Sequence, residues 1–143
     1  MLQRSRKQLI GWRELVDIPA WGIHGLKAKI DTGARTSALH VDNIVELDEN
    51  HIEFVVILSR KNTKKRIKVR ARAVKRGWVR ASHGRTTRWY IETRIKIGPL
   101  ECVIPLNLVD RSAMIYRMLL GRNAIEGSFI VDVSKSYTLE RSS

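Results

Sequence analysis

The segment Lys27-Ala28-Lys29-Ile30-Asp31-Thr32-Gly33-Ala34 constrains this chain more than any other. An alternating strand ends on a carboxylate, and the chain then turns. Gly33 permits a sharp turn because it has no Cβ and reaches conformations that other residues avoid. The Thr32 hydroxyl can lock such a loop as donor or acceptor. A carboxylate presented this way becomes a catalyst when its neighbours fix its rotamer and a second carboxylate is held close. Roughly ninety residues later, within the span of one small domain, come Met118-Leu119-Leu120-Gly121-Arg122-Asn123, an apolar segment able to pack beneath the turn. Asp-Thr-Gly occurs once in the chain and Asp-Ser-Gly not at all. Any second carboxylate of the same kind must therefore be Asp31 of another copy. A given Asp-Thr-Gly arises by chance in roughly a few per cent of chains this long. The downstream segment, followed by the strand-like residues 128–133, lifts the pair well above that background.

Periodicity elsewhere is mostly two, which predicts an all-β domain. Residues 10–18 read as a first strand closed by Pro19, and residues 26–30 as the short strand that carries Asp31. Residues 52–58 and 67–73 flank a polar turn at 60–65 and predict a hairpin with one wet, basic face shared by Lys68, Arg70 and Arg72. Residues 90–97 alternate, turn at Gly98-Pro99 and return over 100–108, where Pro105 predicts an edge or a bulge. Residues 123–127 predict one short helical turn, and residues 129–133 alternate after it. Gly and small polar residues place a further hairpin tip near Ser82-His83-Gly84.

A chain of 143 residues is one domain by length. It contains no apolar run of bilayer-spanning length, and its first residues lack the apolar stretch of a secretory signal. The expectation is a soluble, cytoplasmic protein with no membrane partner. Cys102 is the single cysteine, which excludes an internal disulfide and suits a small apolar strand position. The net charge of +13 is distributed unevenly. Residues 60–96 hold fifteen Lys or Arg against one acid, a net +14, while the rest hold twelve against thirteen, a net −1. Such a block attracts nucleic acid, anionic headgroups or an acidic protein segment.

No His-Glu-x-x-His or Cys-x-x-Cys pattern is present, and His24, His40, His51 and His83 show no ligand spacing, so no metal site is expected. There is no Gly-x-x-x-x-Gly-Lys-Ser/Thr phosphate loop either, and no cofactor is expected.

The motifs resemble the retropepsin-like aspartic peptidases, and more closely the bacterial family historically labelled ATP-dependent zinc proteases. The residues that carry the likeness are 10–14, Ile23, 27–40, Gly84 and Arg85, 88–91 and 117–122. The resemblance implies an all-β, retropepsin-like closed barrel, one acid-protease half, with one short helix near the C-terminus. It implies a single domain over residues 1–143, with residues 1–8 a flexible basic tail. It further implies a homodimer with one Asp31 per subunit, and an association of many relatives with ATP-grasp glutamate ligases, enzymes that add glutamates to protein tails. Carried onto this chain, Asp31, Thr32 and Gly33 form the catalytic loop. Ala34, Arg35, His83, Gly84, Arg85 and Arg88 contact substrate, and Leu119, Leu120, Gly121 and Arg122 support the site.

One position departs from the viral members, in which an acid follows Asp-Thr-Gly-Ala. Here Arg35 stands there, and it would repel Arg122 at close range. Either Arg122 finds another carboxylate or Arg35 turns toward the cleft; the second is expected, where Arg35 would select an anionic side chain through a bidentate contact. The reading is an aspartic endopeptidase for acidic or glutamate-rich segments. Two alternatives stay open. The basic region, with Trp78, Trp89 and Tyr90 among its arginines, fits a ribosome- or RNA-binding module. A protease fold without catalysis could instead regulate a glutamate ligase.

Overall fold

Among the described residues, mostly alternating apolar positions build ten strands: β1 (Gln8–Ile10), β2 (Arg13–Ile18), β3 (Ile23–Ile30), β4 (Ser37–Glu46), β5 (His51–Ile57), β6 (Arg66–Ala81), β7 (Gly84–Ile97), β8 (Leu100–Val109), β9 (Met118–Leu120) and β10 (Phe129–Val131). One short helix, α1 (Arg122–Ile125), lies between the last two, and a 3-10 turn (Pro19–Trp21) joins β2 to β3. This computed structural model describes residues 6–59, 61–62, 64–81, 84–109 and 115–139, with side chains for all of these except 75–81 and 84–87. Eight strands form one sheet in the order β2-β3-β9-β4-β5-β6-β7-β8. Additional pairings of β2 with β7 and of β4 with β8 fold the sheet back on itself, which is compatible with the expected barrel. β1 and β10 pair in parallel as a separate ribbon.

The inward residues of this rolled sheet make one core, with Ile18, Leu39, Phe54, Ile91, Ile95 and Met118 fully buried. No helix among the described residues is long and apolar enough to cross a membrane. Cys102 is half-buried on β8, and burial pushes its thiol pKa up.

Several expectations hold in detail. The two hairpins form, β5 with β6 and β7 with β8, and Arg70 and Arg72 share the exposed face of β6 with Lys68. Pro105 pairs with Glu92 of β7, whereas β4 begins to pair with β8 only at Leu106. The proline thus sits where β8 is still an edge.

Two features differ. The expected strand over 10–18 is split at Gly11 and Trp12, because the chain there is pressed against its own C-terminal segment. A Cβ on Gly11 would lie 2.3 Å from the Lys135 carbonyl oxygen. Alternation alone does not register that approach. The ten-residue β4 was not anticipated, since Asp42 and Asn43 interrupt its pattern. A register shift between Asp42 and Val45, with Asn43 at φ 51°, absorbs the interruption.

The same C-terminal segment is latched by Glu14, which is 1% exposed. Its carboxylate accepts hydrogen bonds from the amides of Gly11 (2.7 Å), Thr138 (3.2 Å) and Leu139 (3.3 Å), and from the Thr138 hydroxyl (2.8 Å). Every contact is a donor facing an acceptor. Glu14→Gln places an NH2 group among N–H donors and removes charge assistance, and should lower unfolding free energy by about 2 kcal/mol. Urea denaturation measures the loss, and limited proteolysis should show faster cleavage after residue 131.

Candidate active site

Asp31 follows directly on β3, whose parallel partner β9 aligns Lys29 with Leu119 and Ile30 with Leu120. The Asp31 amide donates to the Leu120 carbonyl at 2.8 Å, so the last rung of that ladder fixes where the carboxylate begins. The Ala34 amide then donates to the Asp31 carbonyl at 3.2 Å and closes the turn. The Gly33 amide donates to Asp31 Oδ1 at 3.0 Å, which holds the side-chain rotamer. Asp31 itself is half-buried, and Thr32, Gly33 and Arg35 are exposed.

The reason for glycine at 33 differs from the expected one. The positive-φ glycines among the described residues are Gly22, Gly25, Gly98 and Gly127, and Gly33 is not one of them. Its bare Cα matters because a Cβ would sit 3.3 Å from Asp31 Oδ1, tight against the atom that the Gly33 amide orients. The Thr32 hydroxyl makes no hydrogen bond among the described residues and is left facing solvent.

Beneath the loop, two segments cross at backbone contact. The Arg122 amide donates to the Ala34 carbonyl (2.8 Å) and the Asn123 amide to the Arg35 carbonyl (3.0 Å). At the crossing stands Gly121, where a Cβ would meet the Thr36 carbonyl oxygen at 2.3 Å and that of Ala34 at 2.9 Å. No side chain fits there. Ser37, fully buried, accepts from the Gly121 amide (3.0 Å) and donates to Asn123 Oδ1 (2.6 Å). Asn123 Nδ2 in turn donates to the Pro105 carbonyl of β8 at 3.2 Å. Leu120 is buried under the loop, and Leu119 is half-buried.

The expected conflict of Arg35 with Arg122 is resolved by a third route. Arg122 meets no carboxylate among the described residues; its guanidinium donates to the Thr32 carbonyl at 3.0 Å and braces the loop from outside. Arg35 is exposed and makes no hydrogen bond or ion pair among the described residues.

The remaining expected contacts lie on the β6–β7 hairpin. Its register runs from Gly77 opposite Arg88 to Ala81 opposite Gly84, beyond the last pairs with β5 and β8. Over that stretch the two strands pair only with each other among the described residues, a ribbon of roughly 15 Å. Arg88 is half-buried at its base. The backbones of Gly84 and Arg85 lie at its outer end, while the Arg85 side chain and all of His83 fall outside the described residues.

Sequence reasoning missed Ser37, whose role depends on meeting a residue 84 positions away. It also missed the row beside the carboxylate. In β3 the alternation that buries Leu26, Ala28 and Ile30 turns Lys27 and Lys29 to the opposite face, the face on which Asp31 follows. The signal was present in Lys27-Ala28-Lys29-Ile30-Asp31. Among the described residues, no three His, Cys, Asp or Glu side chains gather as a metal site needs.

Residues 9–142 match the family described as RimB-like, retropepsin-like aspartic endopeptidase RimB. A probable alpha-L-glutamate ligase of Parasynechococcus marenigrum is 35% identical over 139 residues, which is 94% of this chain and 30% of that protein. A protein of the same description from Shewanella pealeana is 34% identical with the same coverage. The chain therefore spans about a third of the length of these curated relatives. A crystal structure of a Legionella pneumophila protein of unknown function superposes with a TM-score of 0.77 at 26% identity, covering 94% of this chain and all of that one.

Ser37→Ala leaves the Gly121 amide without its acceptor in a fully buried position and frees Asn123. Stability should fall by about 1–3 kcal/mol, read from the denaturation midpoint. Ser37→Thr keeps the hydroxyl and should recover part of that loss.

Proposed function

The chain belongs to the RimB-like family of retropepsin-like aspartic endopeptidases, and from that premise we propose that it is an aspartic peptidase working as a homodimer, with one Asp31 from each subunit. The observation that carries the reading is the Asp31 loop: a half-buried carboxylate, oriented by the Gly33 amide and braced by Gly121, Arg122 and Ser37, in a chain that holds Asp-Thr-Gly only once. A lone carboxylate has no acid partner for amide hydrolysis. A two-fold axis through the loops supplies it.

Two such carboxylates at close range cannot both ionise cheaply, so they share one proton, as in aspartic proteases. The ionised member takes a proton from a bound water, which attacks the amide carbonyl. The protonated member donates to the carbonyl oxygen, and the proton gained from water later passes to the departing amine. Leu119 and Leu120 wall the pair on one side. The exposed Thr32 hydroxyl, which makes no hydrogen bond among the described residues, is the group available to bind the partner loop. The free-standing β6–β7 ribbon serves as a flap that covers substrate and brings Gly84 and Arg85 over it.

Substrate follows from charge. Arg35 is exposed on the Asp31 loop, Lys27 and Lys29 lie on the outward face of the strand that leads into it, and residues 60–96 carry a net +14. These features support an acidic or glutamate-rich protein segment as substrate. The relatives named as glutamate ligases support the same target and suggest a glutamate ligase as a working partner, one activity adding the residues that the other removes.

The decisive comparison is wild type against Asp31→Asn on acidic and neutral peptides. Wild type should cleave glutamate-rich peptides and spare neutral ones, while Asp31→Asn should lose turnover by about 10⁴-fold or more with fold and dimer intact. Retained cleavage in the variant refutes the assignment. Tight RNA binding blind to Asp31, in a protein that cleaves no peptide, would favour the nucleic-acid alternative instead.

A further inference from the structure

One cavity remains outside the loop just described. It measures about 280 Å³ and is lined by Arg13, Lys27, Lys61, Tyr116, Arg117 and Tyr137 among others, with no acidic side chain among the described residues of its wall. Arg13 is held in place, not merely nearby. The Arg13 guanidinium lies 4.6 Å from the Trp12 ring centroid and 4.8 Å from that of Tyr137, and it donates to the Tyr116 hydroxyl at 3.0 Å. Trp12 and Tyr116 themselves meet edge to face at 5.9 Å. The Tyr116 hydrogen bond pushes the Arg13 pKa up, against the pull of burial. Arg13 Nε is buried and makes no hydrogen bond.

Arg13, Lys27 and Lys61 form no ion pair among the described residues. Asp17, the carboxylate two rungs along the same face of β2 from Leu15, accepts from the Gly25 amide at 2.7 Å. Arg13, Lys27 and Lys61, alike in sign and without a counter-ion among the described residues, focus the field on whatever anion can enter. At this volume the cavity lies at the lower limit of small-molecule pockets, which suits one or two side chains and not a nucleotide or a folded partner.

Its position decides what enters. Arg13 pairs with Lys29 and Leu15 with Lys27, so these residues share the outward face of β2 and β3, the face on which Asp31 follows. From Lys27 to Asp31 the strand advances four residues, about 13 Å. An extended peptide covers that distance, allowing for side-chain reach, in about three to five residues.

We propose that this cavity is an anchoring subsite for a side-chain carboxylate of an acidic peptide, placed three to five residues from the bond presented to Asp31. The inference rests on the peptidase reading for the identity of the bound chain. Arg13 offers a pre-oriented guanidinium, Lys27 and Lys61 add mobile ammonium groups, and the anion completes a shell that the protein leaves open. The site selects acidic stretches over isolated acidic residues, because one carboxylate near Asp31 cannot fill a cavity this far along the strand.

The test uses the full chain carrying Asp31→Asn, so that peptides bind without being cut, and labelled hexaglutamate as probe at about 150 mM salt. Lys27→Gln/Lys61→Gln removes two cavity cations, whereas Lys64→Gln/Lys65→Gln removes two exposed cations that do not line it. Circular dichroism confirms that each folds. The cavity pair should weaken hexaglutamate binding about tenfold or more and the control pair far less. Diglutamate, too short to reach from Asp31, should bind both alike. Equal losses in the two doubles would reduce the effect to diffuse charge and overturn the subsite. Inorganic phosphate binding more tightly than hexaglutamate would overturn it as well, assigning the cavity to a free oxyanion. Cleavage with Asp31 restored separates the two readings. A protein that cuts nothing yet shows the cavity effect keeps the subsite and loses the peptidase, whereas one that cuts with KM unchanged in Lys27→Gln/Lys61→Gln keeps the peptidase and loses the subsite.

Discussion

The crossing at Gly121 is the contact on which the rest of the site depends. There the 34–36 loop and the start of α1 meet through backbone atoms, with no room for a Cβ between Gly121 and the Thr36 carbonyl. Ser37 and Asn123 satisfy the polar groups that this closeness buries, and Asn123 carries the tie onward to β8. The loop is therefore positioned by main chain from three strands and one helix terminus. A carboxylate on such a support needs no reorganisation when charge develops beside it, which is the condition for efficient electrostatic and acid-base catalysis. The arrangement also explains why Arg122 can serve without an acidic partner. Its donor meets the Thr32 carbonyl, so the loop is braced from outside by a bond indifferent to the residue at 35.

Freed from that pairing, residue 35 can change its chemistry. An arginine there adds a cation to the loop that follows Lys27 and Lys29, on a sheet whose opposite face is mostly apolar. Structural ion pairs elsewhere in the chain lie on the exposed surface, such as Arg70 with Glu53 at 2.8 Å and Arg94 with Glu101 at 3.5 Å, where they add little stability. Lys27, Lys29 and Arg35 make no ion pair among the described residues, so their charge is not used in such surface pairs.

The sequence made the strands legible because apolar alternation is a local signal. The Gly98-Pro99 turn, the edge at Pro105 and the helical turn after Gly121 could all be read from a few adjacent residues. What could not be read was decided by residues distant in the chain. Gly11 is glycine because of Lys135, Gly121 because of Thr36, and Ser37 is buried because of Asn123. β4 escaped notice because a bulge shifts its pattern midway. The Asp31 loop was legible as a motif, yet the cause assigned to Gly33 was wrong, since a composition rule about positive φ stands in poorly for a measured contact. The cavity had no sequence signature at all: Arg13, Lys61 and Tyr137 come from widely separated parts of the chain.

Symmetry joins these points. In a two-fold assembly of the proposed kind the axis runs through the paired Asp31 loops, and each subunit brings one cationic cavity to its own side. A bound peptide is directional and cannot obey that symmetry, so backbone contacts on the two sides must differ. Side-chain carboxylates are far less sensitive to chain direction, because a guanidinium and a pair of ammonium groups recognise an anion from either approach. Charge is thus the form of recognition that a symmetric enzyme can apply equally on both sides of the bond it cuts. An acidic stretch of about six to ten residues would reach both cavities at once, and the second contact would form at the high local concentration set by the first.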